Sequence, residues 1–261
     1  NNKLFDIPQN SFYFWKFNRS ISRCNKYFMI KKDLLIIIPA RAGSTGVRNK
    51  NIKKVNNKPL VYYSCRFAKK VKGKNDIVIG CTDSKKIQKI FTKYKIYTPF
   101  LRPKKISNKF SLDIEYVNYC INFFSNRGIH FKSGVILRPT SPIRYIDDFR
   151  KAKKIFLKNR TTSSLRSVCD PPVTPFKMWV QKGSEIVPLI KSKLFEPYNM
   201  PRQKLPKVLW QTGTYDFFRI LFKNKIQSIS GNKILFYYLK NKNNIDVDNL
   251  GDFKKLNKIL R

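Results

Sequence analysis

The stretch LLIIIPARAGSTGVRNKNI, residues 34–52, decides how the chain is read. Its opening aliphatic run is short and apolar at every position, the pattern of a strand buried on both faces. The run ends at Pro39 and empties into a loop holding Gly43, Ser44, Thr45 and Gly46 among the cations Arg41, Arg48 and Lys50. Glycines permit backbone conformations closed to other residues, and successive amides with nearby hydroxyls can form an anion-binding nest. It is not a Walker loop, because no Gly-Lys-Ser or Gly-Lys-Thr opens a helix. The loop is either a solvated turn or a cradle for a polyanion, and the rest of the chain must decide.

Working outward, strand and helix patterns alternate. PLVYYSCRFAKKV reads as a helix, DIVIGCTD as a strand, KKIQKIFTKY as a helix and IYTPFLRP as a short strand. LDIEYVNYCINFF is a helix, GVILRPTSP a buried strand, and IDDFRKAKKIFLKN an amphipathic helix with Asp147 and Asp148 in its first turn, where the helix dipole favours them. Such alternation implies a mostly parallel sheet with helices on both faces and a ligand site beyond the carboxyl ends of the strands. PARAGSTGVRNKN, CTD and RPTSPIR all fall at those ends. From about residue 163 to 209 the alternation fails and prolines recur, which suits an extended excursion or a dimerisation arm. VLWQTGTYDFFRI then reads as a strand leading into a helix, and NNIDVDNLGDFKKLNKIL as a strand followed by a C-terminal helix. Residues 1–28 carry aromatics without period and read as an extension, with the working domain spanning 29–261.

Bulk properties narrow the function less than their size suggests. Lys and Arg number 55 against 15 Asp and Glu, a net charge of +40. The cations are spread end to end and accompany abundant Asn, Ile, Phe and Tyr, as in an A/T-rich coding sequence, so the charge is weak evidence for a polyanionic partner. A content of 42 % hydrophobic residues argues against a disordered chain. The five cysteines are scattered with no Cys-x-x-Cys pair, which fits reduced thiols in a cytoplasmic protein and gives neither a zinc site nor a disulfide frame. The single histidine, His130, leaves no His-rich metal site, and no apolar run approaches the ~20 residues that cross a bilayer.

IDVD is the metal candidate. Asp246 and Asp248 stand two apart, so on a strand they face the same side, and two hard carboxylates with phosphate oxygens and water suit Mg²⁺. The alternative is a pair of strand-edge aspartates capping the last helix.

Taken together, IPARAGSTGVRNKNIKKVNNKPLVYYS, IVIGCTD, FLRP, LRPTSPIR, PRQKLP, WQTGTYD and IDVDNLGDF resemble, in order, the motifs of the CMP-sialic acid synthetase (acylneuraminate cytidylyltransferase) family. The match runs from about residue 33 to 259 and leans towards the bacterial branch handling legionaminic, pseudaminic or related acids. The resemblance implies a Rossmann-like nucleotide-diphospho-sugar transferase fold, three-layered with a mostly parallel sheet, and a homodimer whose protruding arm reaches the partner's site. It implies transfer of CMP from CTP to a nine-carbon 2-keto sugar acid with release of pyrophosphate. By matched position, Arg41, Ser44, Lys50 and Asn51 would hold the nucleotide, with Cys81 and Asp83 near the cytidine. Arg41, Lys50 and Asp248 would carry catalysis, and Asp246 and Asp248 the Mg²⁺. Arg138, Arg144, Arg202, Gln203 and Tyr215 would line the sugar pocket.

Three departures stand out. Thr45 replaces the family's usual Lys, with Arg48, two positions beyond the loop glycine, a candidate substitute if it can reach; Lys109 replaces an acid; Thr212 replaces an Asn before Gly213. The alternative function is a relative that kept the fold, lost catalysis and binds RNA or another polyanion.

Overall fold

The structure, a computed structural model, describes residues 29–43, 46–240 and 245–260. The N-terminal extension, Ser44 and Thr45 lie outside the described residues. Strand β1 (Ile30–Pro39) is followed by a short antiparallel pair, β2 (Lys54–Val55) and β3 (Lys58–Pro59), which leads into helix α1 (Leu60–Val71). Then come β4 (Ile77–Cys81), α2 (Lys85–Lys93), α3 (Asp113–Ser125), β5 (Ile129–Ile136), α4 (Ile146–Lys158) and β6 (Ser164–Cys169). The hairpin β7 (Trp179–Lys182) and β8 (Glu185–Pro188) precedes β9 (Trp210–Arg219), β10 (Ile234–Tyr238) and α5 (Leu250–Ile259).

The main sheet has the order β10-β6-β9-β5-β1-β4. Strand β1 runs parallel to both β4 and β5, and β10 runs parallel to β6, while β9 lies antiparallel between β5 and β6. The sheet is thus mostly parallel, with one reversed strand in its middle. Successive side chains of a strand point to opposite faces, and β1 shows the consequence. Leu34, Ile36 and Ile38 join the core beneath α1, α2 and α4, whereas Leu35 and Ile37 join the core beneath α3. Both sets are buried, which is why the run carries no polar alternation.

Three sequence expectations need correction. WQTGTYDFFRI contains no helix: the strand continues to Arg219, and Phe217 and Phe218 pack into opposite cores, the period of two that a strand imposes. IDVD makes no sheet ladder. Val247 donates its N–H to the Thr140 carbonyl at 2.8 Å and is buried, while Asp246 and Asp248 on either side are exposed. Strand-like alternation survives there without a strand. The excursion also begins later than residue 163, since β6 is a member of the main sheet and β10 had no sequence counterpart.

A third apolar cluster, Val47, Val55, Leu60, Val247, Phe253 and Leu256, docks α5 and the segment before it against the loop that follows β1. Gly46 completes this approach: a Cβ there would lie 2.5 Å from the Asp248 carbonyl oxygen. Helix α5 opens on a capping box, with Asn249 accepting from the Asp252 N–H and Asp252 accepting from the N–H groups of Asn249 and Asp248.

Phe217 is fully buried and packs against Phe149 and Phe156 at ring separations of 5.3 and 5.6 Å. Phe217→Ala is expected to cost about 3–5 kcal/mol in urea-induced unfolding, the usual penalty for a cavity of that size; a loss under 1 kcal/mol would contradict this packing.

Candidate active site

A cleft of about 360 Å³ opens at the carboxyl ends of β1 and β5. Its wall brings together Arg41, Lys50, Asn51, Arg138 and Asp248 with Arg102, Asn108, Asp113, Tyr116 and Thr140. Lys50 Nζ meets Asp248 Oδ1 at 2.8 Å, although 198 residues separate them in sequence. The lysine is mostly buried and the aspartate side chain is 72 % exposed, so the carboxylate is free to face a ligand.

The first loop is braced from inside. Asn51 Nδ2 donates to the Arg41 carbonyl at 2.9 Å, and Asp83 Oδ1 accepts from the Ala42 N–H at 2.8 Å. Arg41 Nη1 donates to the Asn108 carbonyl across the cleft at 2.5 Å. Asp83 therefore acts on the loop backbone. Cys81 is fully buried, pairs with Pro39 in the sheet and faces the core beneath α3 instead of the cleft. Arg48 is exposed and does not line the cleft, whereas Lys109 does.

The proposed sugar-pocket residues separate into three groups. Arg138 lines the cleft and forms ion pairs with Asp216 through Nη1 and Asp113 through Nη2. Burial lowers its tendency to hold the proton, but the charge of Asp216 and the groups beside it outweigh this and raise its pKa. Arg144 and Tyr215 turn inward. Arg144 donates to the Thr214 and Arg138 carbonyls and to Ser64 Oγ, and burial pulls its guanidinium down to about 10. Tyr215 is fully buried and donates to the Tyr145 carbonyl at 2.9 Å. Arg202 and Gln203 are exposed on the excursion outside the cleft, where Arg202 donates to the Pro171 carbonyl. Thr212 is buried and hydrogen-bonded to Ser167, a structural link between β9 and β6.

Sequence reasoning gave no role to Arg102, although FLRP contains it. It is 6 % exposed, its Nε donates to Ser107 Oγ at 2.9 Å, and its guanidinium lies over the Tyr116 ring. Among the described residues neither Nη group has a hydrogen-bond partner, so a nearly buried fork of donors faces the cleft.

Asp246 and Asp248 offer oxygen ligands only, as a hard cation requires. Burial raises the Asp246 pKa; a Thr140 hydrogen bond opposes this, the charge of Asp248 adds to it, and Lys50 and Arg138 pull it back. Among the described residues no three acidic, His or Cys side chains gather as a cage. Asp248 lines the cleft and Asp246 a small separate pocket, so a divalent ion held by both would take the rest of its oxygens from ligand and water, as Mg²⁺ does.

The profile of the cytidylyltransferase family matches residues 35–123. The chain is 31 % identical over 163 residues to the CMP-N,N'-diacetyllegionaminic acid synthase of Legionella pneumophila, covering 62 % of this chain and 68 % of that protein. It is 29 % identical over 227 residues to post-translational flagellin modification protein B of Campylobacter coli, covering 85 % and 92 %. A solved structure of CMP:2-keto-3-deoxy-manno-octonic acid synthetase complexed with CTP shares the fold at a TM-score of 0.64 and 14 % identity, covering 88 % of this chain and 98 % of that one. From the first-loop motif, the mostly parallel sheet and these similarities together, the chain belongs to the cytidylyltransferase family, among the synthetases of CMP-nonulosonic acids.

Proposed function

We propose that the protein transfers CMP from CTP to the anomeric hydroxyl of a legionaminate-, pseudaminate- or sialate-like nonulosonic acid. The observation that carries this reading is the ion pair between Lys50 and Asp248 in a cleft that also presents the free donors of Arg102. Cations for a triphosphate and one carboxylate of the expected couple, Asp248, thus share one space, while Asp246 lines a small separate pocket with Trp210, Thr212 and Thr214.

Arg41, Lys50 and Arg102 would hold phosphate oxygens, Arg through its planar fork and Lys as a mobile point charge. Asn51 and Asp83 keep the loop backbone in place by the bonds already described. Asp246 and Asp248 would hold Mg²⁺, which when bound supplies charge neutralisation at the phosphates and eases loss of the hydroxyl proton. The sugar oxygen attacks the α-phosphorus in line, the bond to the bridging oxygen breaks, and pyrophosphate leaves. Positioning and charge stabilisation are the main demands of such a displacement.

Arg138 would receive the sugar carboxylate, while Arg144 and Tyr215 shape the wall behind it. Arg202 and Gln203 sit on an excursion with exposed apolar side chains, Phe195 at 83 % and Ile186 at 60 % among them. Such a surface supports a homodimer in which the arm of one protomer serves the cleft of its partner. Free buried thiols and the demand for CTP suit the cytoplasm. The RNA-binding alternative draws no support from the relatives, and the gathered Lys50 and Asp248 argue for retained chemistry.

With Mg²⁺, CTP and a panel of nonulosonic acids, the protein is expected to release pyrophosphate with at least one acid, and chelation should stop it. Asp246→Ala should lower kcat by roughly 10²-fold or more, the scale of losing a preorganised electrostatic element. Release that persists under chelation, or none with any acid, would refute the reading. Gly46→Ala should push the Asp248 backbone away and lower kcat/KM by about tenfold or more, because small displacements of positioned groups are costly. Unchanged kcat/KM would show that Gly46 does not set the position of Asp248.

A further inference from the structure

Arg138 has two unlike partners. Asp216 is fully buried on β9, forms a second ion pair with Arg166 Nη1 at 3.3 Å and accepts from Gln211 Nε2 at 3.2 Å, so it is fixed by groups of its own sheet. Asp113 is the first residue of α3, lines the cleft, and has a side chain 42 % exposed. Among the described residues Arg138 is the one cation with which it forms an ion pair. One partner is permanent and the other replaceable.

One turn further along α3, Tyr116 presents a second oddity. The residue is 4 % exposed and lines the same cleft, yet its hydroxyl has no hydrogen-bond partner of ordinary geometry among the described residues. Asp113 stands beside it: after burial, that carboxylate raises the hydroxyl's pKa both by its charge and by a contact short of ordinary hydrogen-bond geometry. A buried donor left without an acceptor costs free energy, so its retention calls for an explanation.

We propose that Asp113 is a place-holder on Arg138 that determines specificity: the carboxylate of the incoming sugar acid takes its place on Nη2, and Asp113 turns to accept from the Tyr116 hydroxyl. This rests on the reading of Arg138 as the seat of the sugar carboxylate. The exchange conserves ion pairs, since one carboxylate leaves the guanidinium as another arrives, and it turns the phenol's imperfect contact with Asp113 into a full hydrogen bond in the bound state. A neutral sugar cannot displace Asp113, because it would leave that carboxylate without its counter-charge. The site therefore selects acids without holding a bare cation in the free protein.

The test compares the wild type with Asp113→Asn and Tyr116→Phe in steady-state assays of pyrophosphate release and in calorimetric titration of the sugar acid. Asp113→Asn removes the competitor, and the KM and Kd for the acid should fall about tenfold, the worth of one charged hydrogen bond. Tyr116→Phe removes the bound-state acceptor's donor, so KM and Kd for the acid should rise about threefold to tenfold while Tm holds or increases, because an unpaired buried hydroxyl has gone. The KM for CTP should not follow either change. If either variant leaves the acid's KM and Kd at the wild-type values, or Asp113→Asn weakens binding, the place-holder is overturned; should Asp113→Asn fail to fold, Tyr116→Phe decides. A wild type inactive with every acid would instead refute the transferase reading itself.

Discussion

The cleft depends on a meeting between the loop after β1 and the segment that precedes the last helix. The ion pair of Lys50 with Asp248 marks that meeting, but it cannot be what secures it. With the aspartate side chain 72 % exposed, the pair contributes no more than about 1 kcal/mol. Six apolar side chains from Val47 to Leu256 are packed beside it, and each buried aliphatic or aromatic group contributes about 1.5–3 kcal/mol. Hydrophobic docking therefore places the charges, and the charges remain available for chemistry. A pair that had to hold the fold together could not be parted by a triphosphate.

Charge in this chain is abundant, yet its useful part is local. Most of the 55 cations are dispersed over the surface, where water screens them. Those of the cleft are either nearly buried, as Arg102 and Lys50 are, or tied to carboxylates, as Arg138 is. The few acids are correspondingly informative: Asp76, Asp113, Asp216 and Asp248 each hold a cation. The pKa of Asp246 is raised, first by partial desolvation and then by its neighbour Asp248, against the opposing pull of Thr140, Lys50 and Arg138. A divalent cation would relieve that conflict.

The sequence disclosed what depends on local period. The run before Pro39, the helices over Leu60–Val71 and Ile146–Lys158, and the loop cations at Arg41 and Lys50 could all be read because their pattern lies within a few residues. What failed depended on distant neighbours. The doubled aromatic at Phe217 and Phe218 suits a helix as well as a strand until the two cores on either side of the sheet are known. Arg144 follows the same motif as Arg138, but its acceptors come from Ser64 and Thr214, so its inward turn cannot be seen locally. Arg102 was visible as a residue and invisible as a donor, because only Ser107 and Tyr116 fix which of its nitrogens are left over.

The reversed strand β9 carries Asp216 into the middle of the sheet between Arg138 on one side and Arg166 on the other. Losing one member of such a buried set strands the remaining charges, whereas replacing the whole set by apolar groups can be nearly neutral. These three positions are consequently tied together: a change at Arg138 alone would leave the buried Asp216 to Arg166 and Gln211, so the sheet interior tolerates alteration of the set more readily than of one member.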